Sequence, residues 1–118
     1  SGHSRGSTCD LTIVPNPPPP QQEYKPGDEL TPCTSPSRFR DNSIDMGTGF
    51  DCFDELAHTK NSSITLEQKE NRQYLVSIMK EAGFVNYVNE WWHFTLENEP
   101  YPSKYFSFDI LPLCHCKQ

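Results

Sequence analysis

No stretch of this sequence stays apolar for the roughly 20 residues needed to cross a bilayer, and no basic excess marks it for a polyanion. Ten lysines and arginines stand against sixteen aspartates and glutamates, a net charge of −6. That balance argues against nucleic acid or an anionic membrane as partner. Apolar residues are also sparse, at 34% of 118, which fits one small domain with a modest core. The five cysteines, Cys9, Cys33, Cys52, Cys114 and Cys116, include no C-x-x-C pair. A structural zinc site built from four cysteines is thereby set aside. Histidine is scarce too, four in the whole chain, so the placement of each is informative.

The apolar deficit is local. Eight of the eleven prolines fall between Pro15 and Pro36, and residues 15–46 read as a polyproline-like surface loop without hydrophobic period. Ahead of it, "CDLTIV" (Cys9 to Val14) is short, β-branched and apolar, as a strand would be. After it, Gly47 and Gly49 mark a tight turn before Phe50 and Asp51. A helix is predicted from Leu66 to about Ala82. Thr65 and Gln68 form a capping box at its start, and Gly83 stands where it would end. Leu75, Val76, Met79 and Ala82 fall on one face of that helix, with Ile78 at the flank. "FVNYV" and "EWWHFTL" read as two antiparallel strands, and "YFSFDI" as a last one. Strands framing a single long helix, without βαβ rhythm, indicate an α+β fold: an antiparallel sheet with the helix packed on it. A disulfide is the simplest use of two cysteines. Cys33, inside the proline-rich stretch, would tie that loop to Cys52 and offset its poor packing. "CHC" at Cys114 to Cys116 reads as a metal ligand pair or a frayed tail.

Two stretches carry chemistry. The chain start offers Ser1, His3, Gly6 and Asp10; "EWWHF" offers Glu90, Trp91, Trp92, His93 and Phe94. Two imidazoles and a carboxylate, His3, His93 and Asp10, make a three-ligand zinc set with an open fourth position. Glu90 is then left over to take a proton from water. A hydrogen-bonded histidine and carboxylate with no metal would satisfy the same residues. The metal reading makes a geometric demand. On a flat strand, residues i and i+3 point to opposite faces. Glu90 and His93 therefore share a site only if the chain breaks between them, at Glu90–Trp91.

Taken in order, "SGHSRGSTCDL", "DMGTGFDCFDE", "EWWHF" and "NEPYPSKYFSFDI" make the chain resemble the D-alanyl-D-alanine dipeptidases of the vancomycin-resistance type, within the zinc D-Ala-D-Ala peptidases. The likeness spans nearly all of the chain apart from the proline-rich loop. It implies a zinc cofactor held by His3, Asp10 and His93, in a cleft on the sheet, with Glu90 as catalytic base. Ser1 and Asp51 match positions of the substrate pocket, where Asp51 would hold the free ammonium of a D-Ala-D-Ala dipeptide; a turn cap is its plain structural alternative. Trp91 and Trp92 are expected in the core and cleft wall, and His58 and His115 at the surface. The family also uses an arginine well ahead of the first zinc motif. The chain is therefore expected to be a single zinc peptidase domain, 1–118, forming the C-terminal part of a longer protein.

The activity implied is hydrolysis of D-Ala-D-Ala-type dipeptides in peptidoglycan metabolism. Two alternatives share the ligand pattern: a carboxypeptidase acting on longer wall peptides, and a zinc module without turnover, as in hedgehog-type signalling domains. Cysteine content favours a periplasmic or otherwise exported place, while trimming of wall precursors would fit the cytoplasm. Neither nucleic acid nor membrane is expected as a partner.

Overall fold

The computed structural model describes residues 1–109. A 3₁₀ turn (Gly2–Arg5) leads into β1 (Thr8–Asp10). Far along the chain come a second 3₁₀ turn (Glu55–Ala57), α1 (Leu66–Glu81), β2 (Phe84–Asn86) and β3 (His93–Leu96). The three strands form an antiparallel sheet in the order β1-β3-β2, with α1 packed against β2. This is the expected α+β arrangement.

The helix begins where its residues dictate. Thr65 accepts from the Gln68 amide at 3.2 Å, and the Gln68 side chain accepts from the Thr65 amide at 2.9 Å. Two of the four unpaired donors of a helix start are thus satisfied locally. Leu75 and Met79 are buried and Val76 packs at the edge of the core. Ala82, expected on that face, caps the helix and is exposed. Gly83 follows with φ of 84°, the left-handed conformation that a helix stop favours. The core consists of Met46, Cys52, Ala57, Leu75, Met79, Trp91, Trp92 and Phe94.

Residues 15–45 hold turns and bends but no helix or strand, and most are exposed. Cys33 and Cys52 are joined by a disulfide, with 5.6 Å between their Cα atoms. The Gly49 amide donates to the Cys33 carbonyl at 2.8 Å. Gly47 has φ of 88°, and a Cβ there would meet the Gln68 side chain at 3.0 Å. The turn therefore both needs its glycine and packs on the first turn of α1.

Strand bounds differ from expectation. β1 is shorter than Cys9 to Val14. Leu11 still donates to the Trp92 carbonyl at 3.0 Å, but the partner strand ends there because the chain turns at Trp91 and Trp92. "FVNYV" stops at Asn86: Tyr87 still donates to the His93 carbonyl at 2.9 Å, but Val88 and Asn89 form a separate turn, closed by the Glu90 amide on the Tyr87 carbonyl at 3.0 Å. Residues 105–109 of "YFSFDI" form no strand. The Phe106 amide donates at 2.7 Å to the Ser4 carbonyl of the first 3₁₀ turn, not to a sheet edge. Ile110, Cys114, His115 and Cys116 lie outside the described residues.

Candidate metal centre

Strand register decides which side chains meet. Phe94 is fully buried on the helix-facing side of β3. Alternation then sends His93 and Thr95 to the opposite face. Pairing sets Asp10 across from His93 and Thr8 across from Thr95, and directly opposed residues share a face. The Thr8 and Thr95 hydroxyls meet at 2.9 Å, and one step along that face lie Asp10 and His93. The third group arrives from the first 3₁₀ turn. Ser1 caps it by accepting from the His3 amide at 3.3 Å, and Gly6, with φ of 78°, ends it.

The result is a convergence. His3 Nε2 lies 3.3 Å from Asp10 Oδ2, and His93 Nδ1 lies 3.0 Å from Asp10 Oδ1. The two imidazole rings stand edge to face, 4.9 Å between centroids. One ligand atom from each residue falls within 4.8 Å of the others. Asp10 Oδ1 is buried, yet its short contact with His93 Nδ1 lies outside hydrogen-bond geometry and leaves it without a partner. A buried acceptor facing an imidazole nitrogen with no hydrogen bond between them is costly. A cation among the three groups would satisfy all of them. Two nitrogens and one carboxylate are also the donor set a zinc ion takes.

Glu90 joins this group by a turn. The chain breaks between Glu90 and His93, as the metal reading demands, though β3 begins two residues later than the expected Trp91. The His93 amide donates to the Glu90 carbonyl at 3.3 Å, closing the turn over Trp91 and Trp92. Asn86 holds it from the side, donating to the carbonyls of Glu90 at 3.0 Å and His93 at 3.1 Å. The turn puts Glu90 Oε2 3.3 Å from His93 Nδ1. Both tryptophans point the other way and are 1% exposed, with Trp91 Nε1 donating to Thr48 Oγ1 at 2.8 Å. Their burial anchors the turn in the core.

Asp51 stands outside this cluster. It is exposed, with φ of 54°, a left-handed backbone that is uncommon for a residue with a side chain. Its neighbours fix it from both sides: Phe50 packs on both tryptophan rings, and Cys52 is buried in its disulfide.

Two features of the surroundings had little signature in the sequence. Arg72, on α1, is 1% exposed and donates to three carbonyls: Met46 at 2.7 Å, His58 at 2.7 Å and Leu56 at 3.0 Å. Burial lowers its pKa to about 10, opposed by the charge of Asp45, so it stays cationic at neutral pH. It thereby clasps both ends of the segment that carries Asp51. His58, expected at the surface, is half-buried there and lines a hollow of about 300 Å³ with Glu90, Tyr87 and Phe53. A larger cleft, about 410 Å³, lies between residues 34–48 and Gln68 and Trp91, and none of the converging groups lines it. Glu90 lines the smaller hollow, and His3, Asp10 and His93 line neither. The Cys9 thiol, between β1 and the core, is pushed up by burial and by neighbouring Asp10.

Similarity to known proteins points to one family. The family model described as D-ala-D-ala dipeptidase matches residues 35–110. A D-alanyl-D-alanine dipeptidase of Enterococcus faecium is 38% identical over 110 residues, 93% of this chain and 44% of the relative. One from Streptomyces coelicolor is 36% identical over the same shares. One from Escherichia coli K12 is 35% identical over 96 residues, 81% of this chain and 38% of the relative. The chain thus spans under half the length of these curated relatives. With the family match running through Asp51, Glu90 and His93, and with relatives alike over nearly all of its residues, the chain belongs to the D-Ala-D-Ala dipeptidase family.

Proposed function

We propose that the protein hydrolyses D-Ala-D-Ala-type dipeptides, and that it does so with a zinc ion held by His3, Asp10 and His93 in a cleft on the exposed face of the sheet. The observation that carries the reading is the convergence of these three groups around an unpartnered buried carboxylate oxygen, with a second carboxylate 3.3 Å from the same imidazole. Zinc in such a site supplies Lewis acidity, making a water more acidic and polarising a carbonyl. Glu90 is not needed as a ligand and acts as the base. One of its carboxylate oxygens takes the proton of the attacking water and then delivers it to the leaving amine. The buried tryptophan turn keeps Glu90 beside His93 throughout, so the base needs no reorganisation during the reaction.

Asp51 binds the free ammonium of the dipeptide, and Ser1 contributes a polar edge to the pocket. Recognition of that ammonium confines the substrate to short peptides and links the protein to peptidoglycan breakdown products. The disulfide supports a periplasmic or otherwise exported place.

Release of D-alanine from D-Ala-D-Ala, measured with zinc content on the same samples, tests this. Glu90→Gln is expected to keep about one zinc per chain and to lose roughly 10²- to 10⁴-fold in turnover. Cleavage at the parent rate by that variant would remove Glu90 as base. N-acetylation of the dipeptide should abolish turnover, whereas equal cleavage of the blocked substrate points to a carboxypeptidase.

A further inference from the structure

His3 is the exposed member of the ligand set, its side chain 40% accessible. Its imidazole meets only Asp10 and the edge of the His93 ring among the converging groups. Its position therefore depends on the backbone that carries it. That backbone is a four-residue 3₁₀ turn, with bonds from Ser4 to Ser1 at 3.2 Å and from Gly6 to His3 at 3.0 Å. So short a turn does not hold its shape alone.

What holds it comes from the far end of the described chain. Arg5, the last residue of the turn, donates from Nε to Glu99 Oε2 at 2.6 Å and from Nη2 to Glu99 Oε1 at 2.9 Å. This is a two-point fork between guanidinium and carboxylate, the strong and directional form of the pair. Ser7, just past the turn, donates its hydroxyl to the same Glu99 Oε2 at 2.5 Å. One carboxylate thus grips the turn and the entrance to β1 together. Both charged side chains are largely covered, 18% and 14% accessible. The guanidinium folds back beneath the turn, where a Cβ on Gly2 would lie 3.5 Å from Arg5 Nη2. It also faces the Tyr105 ring at 5.7 Å. Glu99 itself lies three residues beyond Leu96, the last residue of the strand that His93 begins.

We infer that Glu99 is a positioning residue for the metal centre: through Arg5 and Ser7 it locks the turn that aims His3 at Asp10, and so sets the affinity and geometry of the third ligand. This rests on the zinc reading proposed above. Among the described residues neither Arg5 nor Ser7 hydrogen-bonds a ligand side chain; both act through the backbone of the turn, and Glu99 ties that turn to the strand bearing His93.

Zinc competition against a chromophoric chelator, with the visible spectrum of the cobalt-loaded protein, tests the inference. Glu99→Gln keeps size and loses the charge. It is expected to weaken zinc by about 10- to 100-fold, the usual effect of losing an outer support, and to alter the cobalt bands as the His3 bond loosens. Arg5→Lys keeps the charge but not the fork and should fall between. Thr65→Ala removes the cap of α1, destabilising the fold away from the turn, and should leave affinity and spectrum as in the parent. An unchanged affinity and cobalt spectrum in Glu99→Gln overturns the inference. So does a Thr65→Ala variant that loses zinc as strongly. A parent protein that binds no zinc overturns the metal reading and this one with it.

Discussion

Replacing Arg72 by methionine removes three hydrogen bonds with one substitution, and the structure sets the size of the loss. The guanidinium serves the carbonyls of Met46, His58 and Leu56. The bond to Met46 is buried, while the other two are partly open. A buried carbonyl left without a donor costs about 1–3 kcal/mol, and those that water reaches cost less, nearer 1 kcal/mol each. Against this, methionine no longer holds a charge out of water, the burden that lowers the Arg72 pKa. The net expectation is about 2–4 kcal/mol of destabilisation, a large share of the 5–15 kcal/mol typical of a domain. Urea unfolding followed by tryptophan fluorescence reads it directly, since Trp91 and Trp92 are both buried. The midpoint should fall while the slope stays the same. A second readout separates this residue from an ordinary core side chain. Met46 and His58 bracket Asp51, so on the function proposed above KM for D-Ala-D-Ala should rise in the fraction still folded. A midpoint shift worth less than about 0.5 kcal/mol, the scale of a neutral surface change, would refute the reasoning.

Reduction of the Cys33–Cys52 disulfide, across a separation of 19 residues, should cost about 3 kcal/mol by the loop-entropy relation. A melting temperature unchanged after mass spectrometry confirms reduction would contradict that. Acid should act through Glu99. The Arg5 hydrogen bond, followed by that of Ser7, holds its carboxyl below the ordinary glutamate value, which is about 4.3. Its contribution to stability is then complete above about pH 4.3 and is lost as pH falls through the lower folded value. The stability gap between the parent and Glu99→Gln, measured by urea unfolding at stepped pH, should therefore close only on the acid side. A gap that instead closes between pH 5 and 8 would show another group to be responsible.

What could be read ahead of the structure was whatever depends on neighbours in sequence. The capping box of Thr65 and Gln68 is a local device, and the helix begins where it says. The break between Glu90 and His93 followed from the alternation of a strand, because two groups three apart cannot otherwise share a site. Strand lengths were less legible. β1 ends near Asp10 because its partner turns away at Trp92, a fact held in another part of the chain. "YFSFDI" has the alternation of a strand, but the 3₁₀ turn supplies its backbone partner. The charged side chains were opaque for a related reason. Arg5, Arg72 and Glu99 look like surface residues by type. Only their distant partners, the Met46 carbonyl for one and the Arg5–Glu99 fork for the others, make them structural.

The strand order β1-β3-β2 also has a bearing on time. Thr8 meets Thr95 across a separation of 87 residues, so the sheet edge bearing Asp10 cannot form until most of the chain exists. At ribosomal rates of 5–20 residues per second, His3 and Asp10 wait on the order of 10 s for His93 to be made. Contacts this distant also form late in folding, after the entropy of closing the chain has been overcome. The cysteine pair, 19 residues apart, faces a far shorter closure. On the zinc reading proposed above, metal capture must follow the pairing of β1 with β3, because only that pairing brings His3 and Asp10 to His93.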